Sequence, residues 1–132
     1  MSPISENSYA SFDRSEFPVV TVTFTGATET KENFHQYLNG LFHNYDRKEE
    51  FSLIFDASLA SSPNPKYQKM QAEWMKDHEK LVKTYCKGVA YVVPSPFLRG
   101  ILKIIFGIQK NPVPFQVFRD MKPARQWAKS LI

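Results

Sequence analysis

The stretch GVAYVVPSPFLRGILKIIFGI, residues 88–108, decides the fold because it joins two apolar runs of different period. The first run, residues 89–93, predicts a buried strand. Pro94 and Pro96 end that strand, since a proline has no N–H to donate to a sheet ladder. A helix that contains the second apolar run is therefore predicted to begin near Ser95.

The predicted helix over residues 97–108 carries more apolar surface than a single contact with a sheet requires. On a helical wheel at about 100° per residue, its apolar side chains cover an arc of roughly 200°. Either a neighbouring helix covers the excess, or the helix offers it to a partner. The candidate surface for a partner or ligand consists of Phe97, Leu98, Arg99, Leu102, Lys103 and Phe106.

Length and composition favour one folded domain. The 132 residues, of which 42% are hydrophobic, can bury a core without disulfides or metals. We expect a single domain over residues 1–132, with residues 1–7 as a flexible N-terminus. Apolar runs are far shorter than the roughly 18 residues of a membrane span. The lone Cys86 and the absence of a signal segment favour the cytoplasm.

Charge is distributed unevenly along the chain. Residues 1–66 carry five basic and nine acidic side chains, whereas residues 67–132 carry twelve basic and four acidic ones, so the halves have net charges of −4 and +8. This asymmetry is compatible with an anionic partner. The basic residues are spread through several predicted helices without a dense cluster or a recognition motif, so we expect solvated helix faces and no nucleic-acid partner.

The first half of the chain predicts a hairpin, a helix and a strand. Residues 9–12 and 19–25 flank a polar turn, and the second segment alternates apolar and polar side chains. Thr28 or Thr30 is expected to cap a helix that carries apolar residues at three- and four-residue spacing. Residues 51–55 then form a short apolar strand.

The second half predicts alternating helices and strands. Asn64 as cap and Pro65 in the first turn begin a helix whose apolar stripe continues to residue 85, and Gly88 is expected to supply its left-handed C-terminal cap. After the central strand and helix, residues 115–118 form a last strand and Asp120 begins a terminal helix. The predicted fold is α/β with order ββαβαβαβα: a mixed, mostly parallel sheet with an N-terminal hairpin, covered by helices.

Two segments, residues 88–106 and PFQVFRDMKPARQWAKSLI at residues 114–132, resemble a known family. With the predicted order, they are similar to the SpoIIAA-like branch of the STAS superfamily, named for anti-sigma-factor antagonists and related to CRAL-TRIO lipid-binding folds. The resemblance implies a STAS-like domain over the whole chain. In STAS proteins a serine near the end of the corresponding strand is phosphorylated to switch partner binding. Here the strand end, FDASL, is similar, but SSPN replaces the family's Asp-Ser-Ser-Gly.

No catalytic or metal-binding motif stands out. His35 and His43 lie eight residues apart, whereas two histidines that share a metal on a helix lie four apart, so we expect neither a metal nor another cofactor. His78 falls within an apolar stripe, which is typical of a packed histidine. Cys86 lies at a helix end that does not lower its pKa. We therefore expect no enzymatic activity, and a small hydrolase is the last alternative.

The best polar candidate follows the strand at residues 51–55. Open α/β sheets bind ligands at the carboxyl ends of their strands. The loop there contains no glycine, so a nucleotide-binding phosphate loop is not expected. The possible regulatory residues of this loop are Asp56, Ser58, Ser61 and Ser62.

These observations leave two main hypotheses for the function. The first is a non-enzymatic binding or regulatory module that contacts a regulatory protein partner. The second is a carrier of a hydrophobic ligand, or a peripheral membrane protein that binds anionic lipid through the helix at residues 97–108. A homo-oligomer is compatible with either hypothesis.

Overall fold

A computed structural model describes residues 4–6, 9–60, 64–100 and 112–132. Within these residues, six strands form one sheet in chain order. The first three are antiparallel neighbours, and each later strand is parallel to the one before it. The predicted α/β class is confirmed. The strands are β1 (Ile4–Glu6), β2 (Ala10–Asp13), β3 (Val19–Phe24), β4 (Phe51–Asp56), β5 (Cys86–Val92) and β6 (Phe115–Phe118).

Helices follow β3, β4 and β6 in the predicted order. They are α1 (Lys31–His43), α2 (Pro65–Asp77), α3 (Glu79–Tyr85) and α4 (Met121–Ser130). Residues 96–100 are also helical. The predicted order ββαβαβαβα is confirmed, with two additions: β1 precedes the hairpin, and two short helices replace the single helix expected between β4 and β5.

Two of the predicted caps, Thr30 and Asn64, are confirmed by their side-chain hydrogen bonds. Asp120 precedes α4 as predicted, but its side chain makes no capping hydrogen bond. Thr30 Oγ1 accepts a hydrogen bond from the Asn33 N–H at 3.0 Å, and Asn33 Oδ1 accepts from the Thr30 N–H at 2.8 Å. This reciprocal pair fixes the first turn of α1. Asn64 Oδ1 accepts from the Lys66 N–H at 2.9 Å, and Pro65 occupies the first turn of α2.

Residues 4–6 were expected to belong to a flexible N-terminus and instead form β1. Their backbone pairs antiparallel with β2, with Ser5 opposite Phe12. Three residues are too few to show an alternation of apolar and polar side chains in the sequence. The strand forms because its main chain pairs with the outer edge of β2.

His78 divides the helix that we expected to be continuous. Its backbone leaves the helical region, with φ −111° and ψ 15°, and its Nδ1 lies 2.8 Å from the Trp74 carbonyl oxygen. The imidazole also stacks on the Trp74 ring at 4.4 Å between centroids. The apolar stripe runs through this break because α2 and α3 pack on the same core.

The prediction that Gly88 caps a helix is wrong. Gly88 lies inside β5, which begins at Cys86, two residues earlier along the chain. A Cβ atom at position 88 would lie 3.1 Å from the Trp127 ring and 3.2 Å from the Pro114 carbonyl oxygen. The glycine is therefore required for close approach of α4 to the sheet, rather than for a left-handed turn.

The two faces of the sheet are covered differently. Helices α1, α2 and α3 cover one face with a core rich in aromatic side chains, which we call the aromatic face. Helix α4 covers the other through Ala124 and Ala128, packed near Ile54 and Ala90, and we call this the alanine face. Successive residues of each strand alternate between these two faces.

Candidate functional site

The loops that follow β3, β4 and β5 meet at one edge of the sheet, because these three strands are parallel and adjacent. The Ala57 N–H donates a hydrogen bond to the Val92 carbonyl at 2.9 Å, which joins the second loop to the third. Gly26, with φ +88°, brings the first loop against the Leu59 carbonyl, where a Cβ would clash. We call this the carboxyl edge, and it is where open α/β sheets bind their ligands.

Asp56 organises the loop after β4. Its Oδ1 accepts hydrogen bonds from the Ser58 N–H at 3.0 Å and from the Ser58 hydroxyl at 2.6 Å. This is a turn in which an aspartate side chain replaces a backbone acceptor. Of the four residues predicted in this loop, the structure brings these two together. Ser61 and Ser62 lie outside the described residues.

Two large apolar side chains project into solvent at the carboxyl edge. Leu59, after β4, is 68% exposed, and Phe97, after β5, is 70% exposed. They are the most exposed large apolar side chains among the described residues. Sequence analysis named Phe97 but missed Leu59. The available signal was a leucine without a periodic partner, alone among the small and turn-forming residues between β4 and α2.

The turn that carries Phe97 is held by main-chain contacts. Ser95 Oγ accepts from the Leu98 N–H at 3.3 Å, and the Ser95 carbonyl accepts from the Arg99 N–H at 3.0 Å. Arg99 Nη1 donates to the carbonyls of Val93 at 2.9 Å and Pro94 at 3.0 Å. Arg99 and Leu98 are half-buried. The remaining predicted positions, Leu102, Lys103 and Phe106, lie outside the described residues.

A half-buried acid lies at the same edge, between the first and second loops. Glu29 accepts a hydrogen bond from the Asn64 backbone, while burial raises the pKa of its carboxyl group. Burial likewise raises the pKa of the Tyr9 hydroxyl, and the nearby Glu29 charge raises it further. This pair was not foreseen, because the two residues are separated by the whole of β2, β3 and the following loop.

His43, His78 and Cys86 each make local contacts. His78 is half-buried against Trp74 and Phe42, and His43 Nδ1 is 3.1 Å from Asp46 Oδ2 on the surface. Cys86 is buried, and burial raises its pKa to about 12, so its thiol stays protonated at neutral pH. In the described part of the chain, no three His, Cys, Asp or Glu side chains are grouped as a metal site would require.

No helix in residues 4–6, 9–60, 64–100 and 112–132 is both long and apolar enough to cross a bilayer.

A model of a family described as a domain of unknown function (DUF7793) matches residues 66–132, just over half of the chain. The chain belongs to this family. No curated protein matches it significantly. The solved structure of an uncharacterized DUF3478-family protein from Shewanella loihica PV-4, described as having a SpoIIAA-like fold, is similar, with a TM-score of 0.67 and 16% sequence identity. The match covers 97% of this chain and 98% of that one.

This likeness establishes the fold of the DUF7793 chain and carries no information about activity. The resemblance to the SpoIIAA-like fold, drawn from residues 88–106 and 114–132, is thereby confirmed at the level of architecture. The relationship to CRAL-TRIO lipid-binding folds stays a prediction.

Proposed function

We propose that this protein is a non-enzymatic regulatory module that binds a protein partner through its carboxyl edge. The observation that carries the proposal is the pair of solvent-exposed side chains Leu59 and Phe97 on adjacent loops. Large apolar side chains that are exposed at the same end of a sheet are candidate anchors of an interaction site.

The described residues next to these side chains are held by hydrogen bonds before any partner arrives. The Asp56 turn, the Ala57–Val92 hydrogen bond and the Arg99 contacts fix the backbone on both sides of the edge. Little ordering entropy is therefore lost on binding. Full burial of each apolar side chain contributes about 1.5–3 kcal/mol, which suits central anchors of an interface.

The test compares three single variants of the tagged full chain, each returned to its source cells and cross-linked before capture. Leu59→Asp and Phe97→Asp remove the apolar anchors, and Ile132→Asp is the matched control, because Ile132 is 45% exposed at the far end of the chain. We expect a specific protein that is recovered with the wild type and the control and lost with both edge variants. Identical recovery from all four chains would refute the proposal.

A second candidate is a lipid carrier or peripheral membrane protein. It is supported by the net charge of +8 over residues 67–132 and by the exposed Phe97 ring beside Arg99. Basic and aromatic side chains together bind anionic bilayer surfaces. Flotation with anionic liposomes at two salt concentrations tests it: binding that is lost in Phe97→Asp supports this candidate, and absence of binding at low salt removes it.

A further inference from the structure

Strand β6 turns part of its main chain away from the sheet. The Val89 N–H donates to the Pro114 carbonyl at 3.0 Å, and the Val93 N–H donates to the Phe118 carbonyl at 2.8 Å. In a parallel ladder, alternate residues of a strand direct their main-chain groups to the same neighbouring strand. Because Pro114 and Phe118 face β5, Val117 directs its N–H and C=O away from β5. In the described residues, the sheet ends at β6.

The side chain of Val117 lines a cavity beside this edge. The cavity has a volume of about 420 Å³, and the described residues that line it also include Pro96, Arg99 and Gly100. Val117 is 38% exposed. No atom lies within 4 Å of a Cβ built at Gly100, so space is open above the helix. Val117 thus combines main-chain groups that face outward with a side chain that lines a cavity.

One basic residue lines this cavity, and two more follow β6 along the chain. Arg99 forms one wall, and Arg119 follows β6 at the end where Phe118 pairs with Val92. Lys122 lies in the first turn of α4, and Asp120 is the only acidic residue within 96–100 and 112–122. The surroundings favour a segment that carries negative charge.

We propose that the outer edge of β6 binds an extended acidic peptide of a partner protein as an added strand. Main-chain hydrogen bonds to Val117 supply sequence-independent affinity, and the adjacent cavity takes one apolar side chain of the peptide. Arg99 and Arg119 select carboxylates at neighbouring positions. The inference rests on the proposed function, since it names the class of partner that a binding module takes, but it uses residues other than Leu59.

A second copy of the chain is the competing occupant. Pairing of β6 with β6 of another copy would bring two sets of Arg99, Arg119 and Lys122 together, and like charges at close range oppose association. An acidic peptide has no such cost.

The probe is a phage-displayed library of random dodecapeptides, selected against the immobilised full chain. The enriched peptides are then synthesised with a fluorescent label, and their affinities are measured by polarisation. We expect acidic peptides with alternating apolar residues. N-methylation at alternate peptide positions should abolish binding and at the intervening positions should leave it intact, because only every second peptide N–H faces β6.

Two variants of the chain test the groove itself. Gly100→Leu adds a side chain at a wall of the cavity where a Cβ meets no atom within 4 Å, and it should weaken binding about tenfold or more by occupying the space. Val117→Pro removes the outward N–H without touching the β5 ladder and should weaken binding similarly. Gln116→Ala, whose main chain faces β5 and whose side chain alternates to the opposite face, is the matched control and should bind within about twofold of the wild type.

Several outcomes would overturn the inference: no enriched peptide, enrichment of basic peptides, or equal effects of N-methylation at all positions. A dimer in sedimentation that Val117→Pro dissociates would assign the edge to a second copy instead. Leu59→Asp should retain peptide binding, so loss of the carboxyl-edge partner and loss of the β6 peptide are separately observable. If Val117→Pro fails to fold, Gly100→Leu and the N-methylated peptides still decide the question.

Discussion

The aromatic face and the alanine face achieve burial by opposite means. On the aromatic face, rings fill a thick layer: Phe24 stacks on Phe55 at 5.8 Å, and Phe55 stacks on Tyr91 at 5.4 Å between centroids. On the alanine face, small residues let α4 lie so close that the Ser52 hydroxyl donates to the Ala128 carbonyl at 2.9 Å. One face should therefore be sensitive to lost volume and the other to added volume.

The largest effect is expected from removing a ring of the aromatic face. Phe34 is fully buried, and its centroid lies 5.1–5.6 Å from those of Tyr9, Tyr37 and Tyr67. Phe34→Ala should lower the free energy of unfolding by about 3–5 kcal/mol, measured by urea denaturation. Phe42→Ala, on the same helix but 45% exposed, is the control and should cost much less. Equal losses would show that the rings are not the main support of this face.

Adding volume to the alanine face is expected to have the next largest effect. Ala128 is fully buried between α4 and the sheet. Ala128→Leu should lower the free energy of unfolding by about 1–3 kcal/mol, because the larger side chain forces α4 outward. Gln126→Leu adds a leucine on the exposed side of the same helix and should change stability little. A neutral or stabilising Ala128→Leu would mean that this face is loosely packed.

High pH should weaken the aromatic face selectively. Burial raises the pKa values of Tyr37, Tyr45 and Cys86, and all three belong to that core. Groups with raised pKa values keep their protons in the folded state while the unfolded chain releases them, so stability falls as pH rises above the ordinary thiol value of 9.0.

We expect a loss of about 1–2 kcal/mol between pH 9 and 10, measured by urea unfolding across that range. Cys86→Ala should flatten the slope by removing the thiol. An unchanged free energy of unfolding over this interval would contradict the assigned burial of these groups.

The smallest effect should come from the hydrogen bond that spans the alanine face. Ser52 is fully buried, and its hydroxyl contacts Ala128 in the terminal helix. Ser52→Ala should cost about 1 kcal/mol, measured by thermal and urea unfolding. Ser130→Ala removes an exposed hydroxyl that bonds the Trp127 carbonyl and serves as the control. A loss in the control as large as that in Ser52→Ala would remove the special role of the buried bond.

The element order was predictable because each signal is local. Apolar alternation in β3, the Thr30 and Asn64 caps and the prolines after β5 all act within a few residues. The break at His78 and the position of Gly88 were not predictable. Both depend on contacts with other elements, namely the imidazole with Phe42 of α1 and the approach of α4, and neither contact leaves a period in the sequence.

The candidate site was predictable only in part. The position of Asp56 at a strand end follows from the strand pattern, whereas the exposure of Leu59 and Phe97 depends on what the rest of the chain covers. The groove at β6 requires knowledge of which main-chain groups of Val117 face outward, and this depends on register with β5. Register is set by the whole sheet and cannot be read from four residues.

Ser52 and Ala128 are separated by 76 positions, yet they touch. During synthesis, Ile54 and Ala90 therefore stay uncovered on the alanine face until residues 121–130 of α4 have been made. A polypeptide truncated between positions 112 and 120 would lack α4 and would expose the apolar alanine face to solvent. Such a product should aggregate or be degraded.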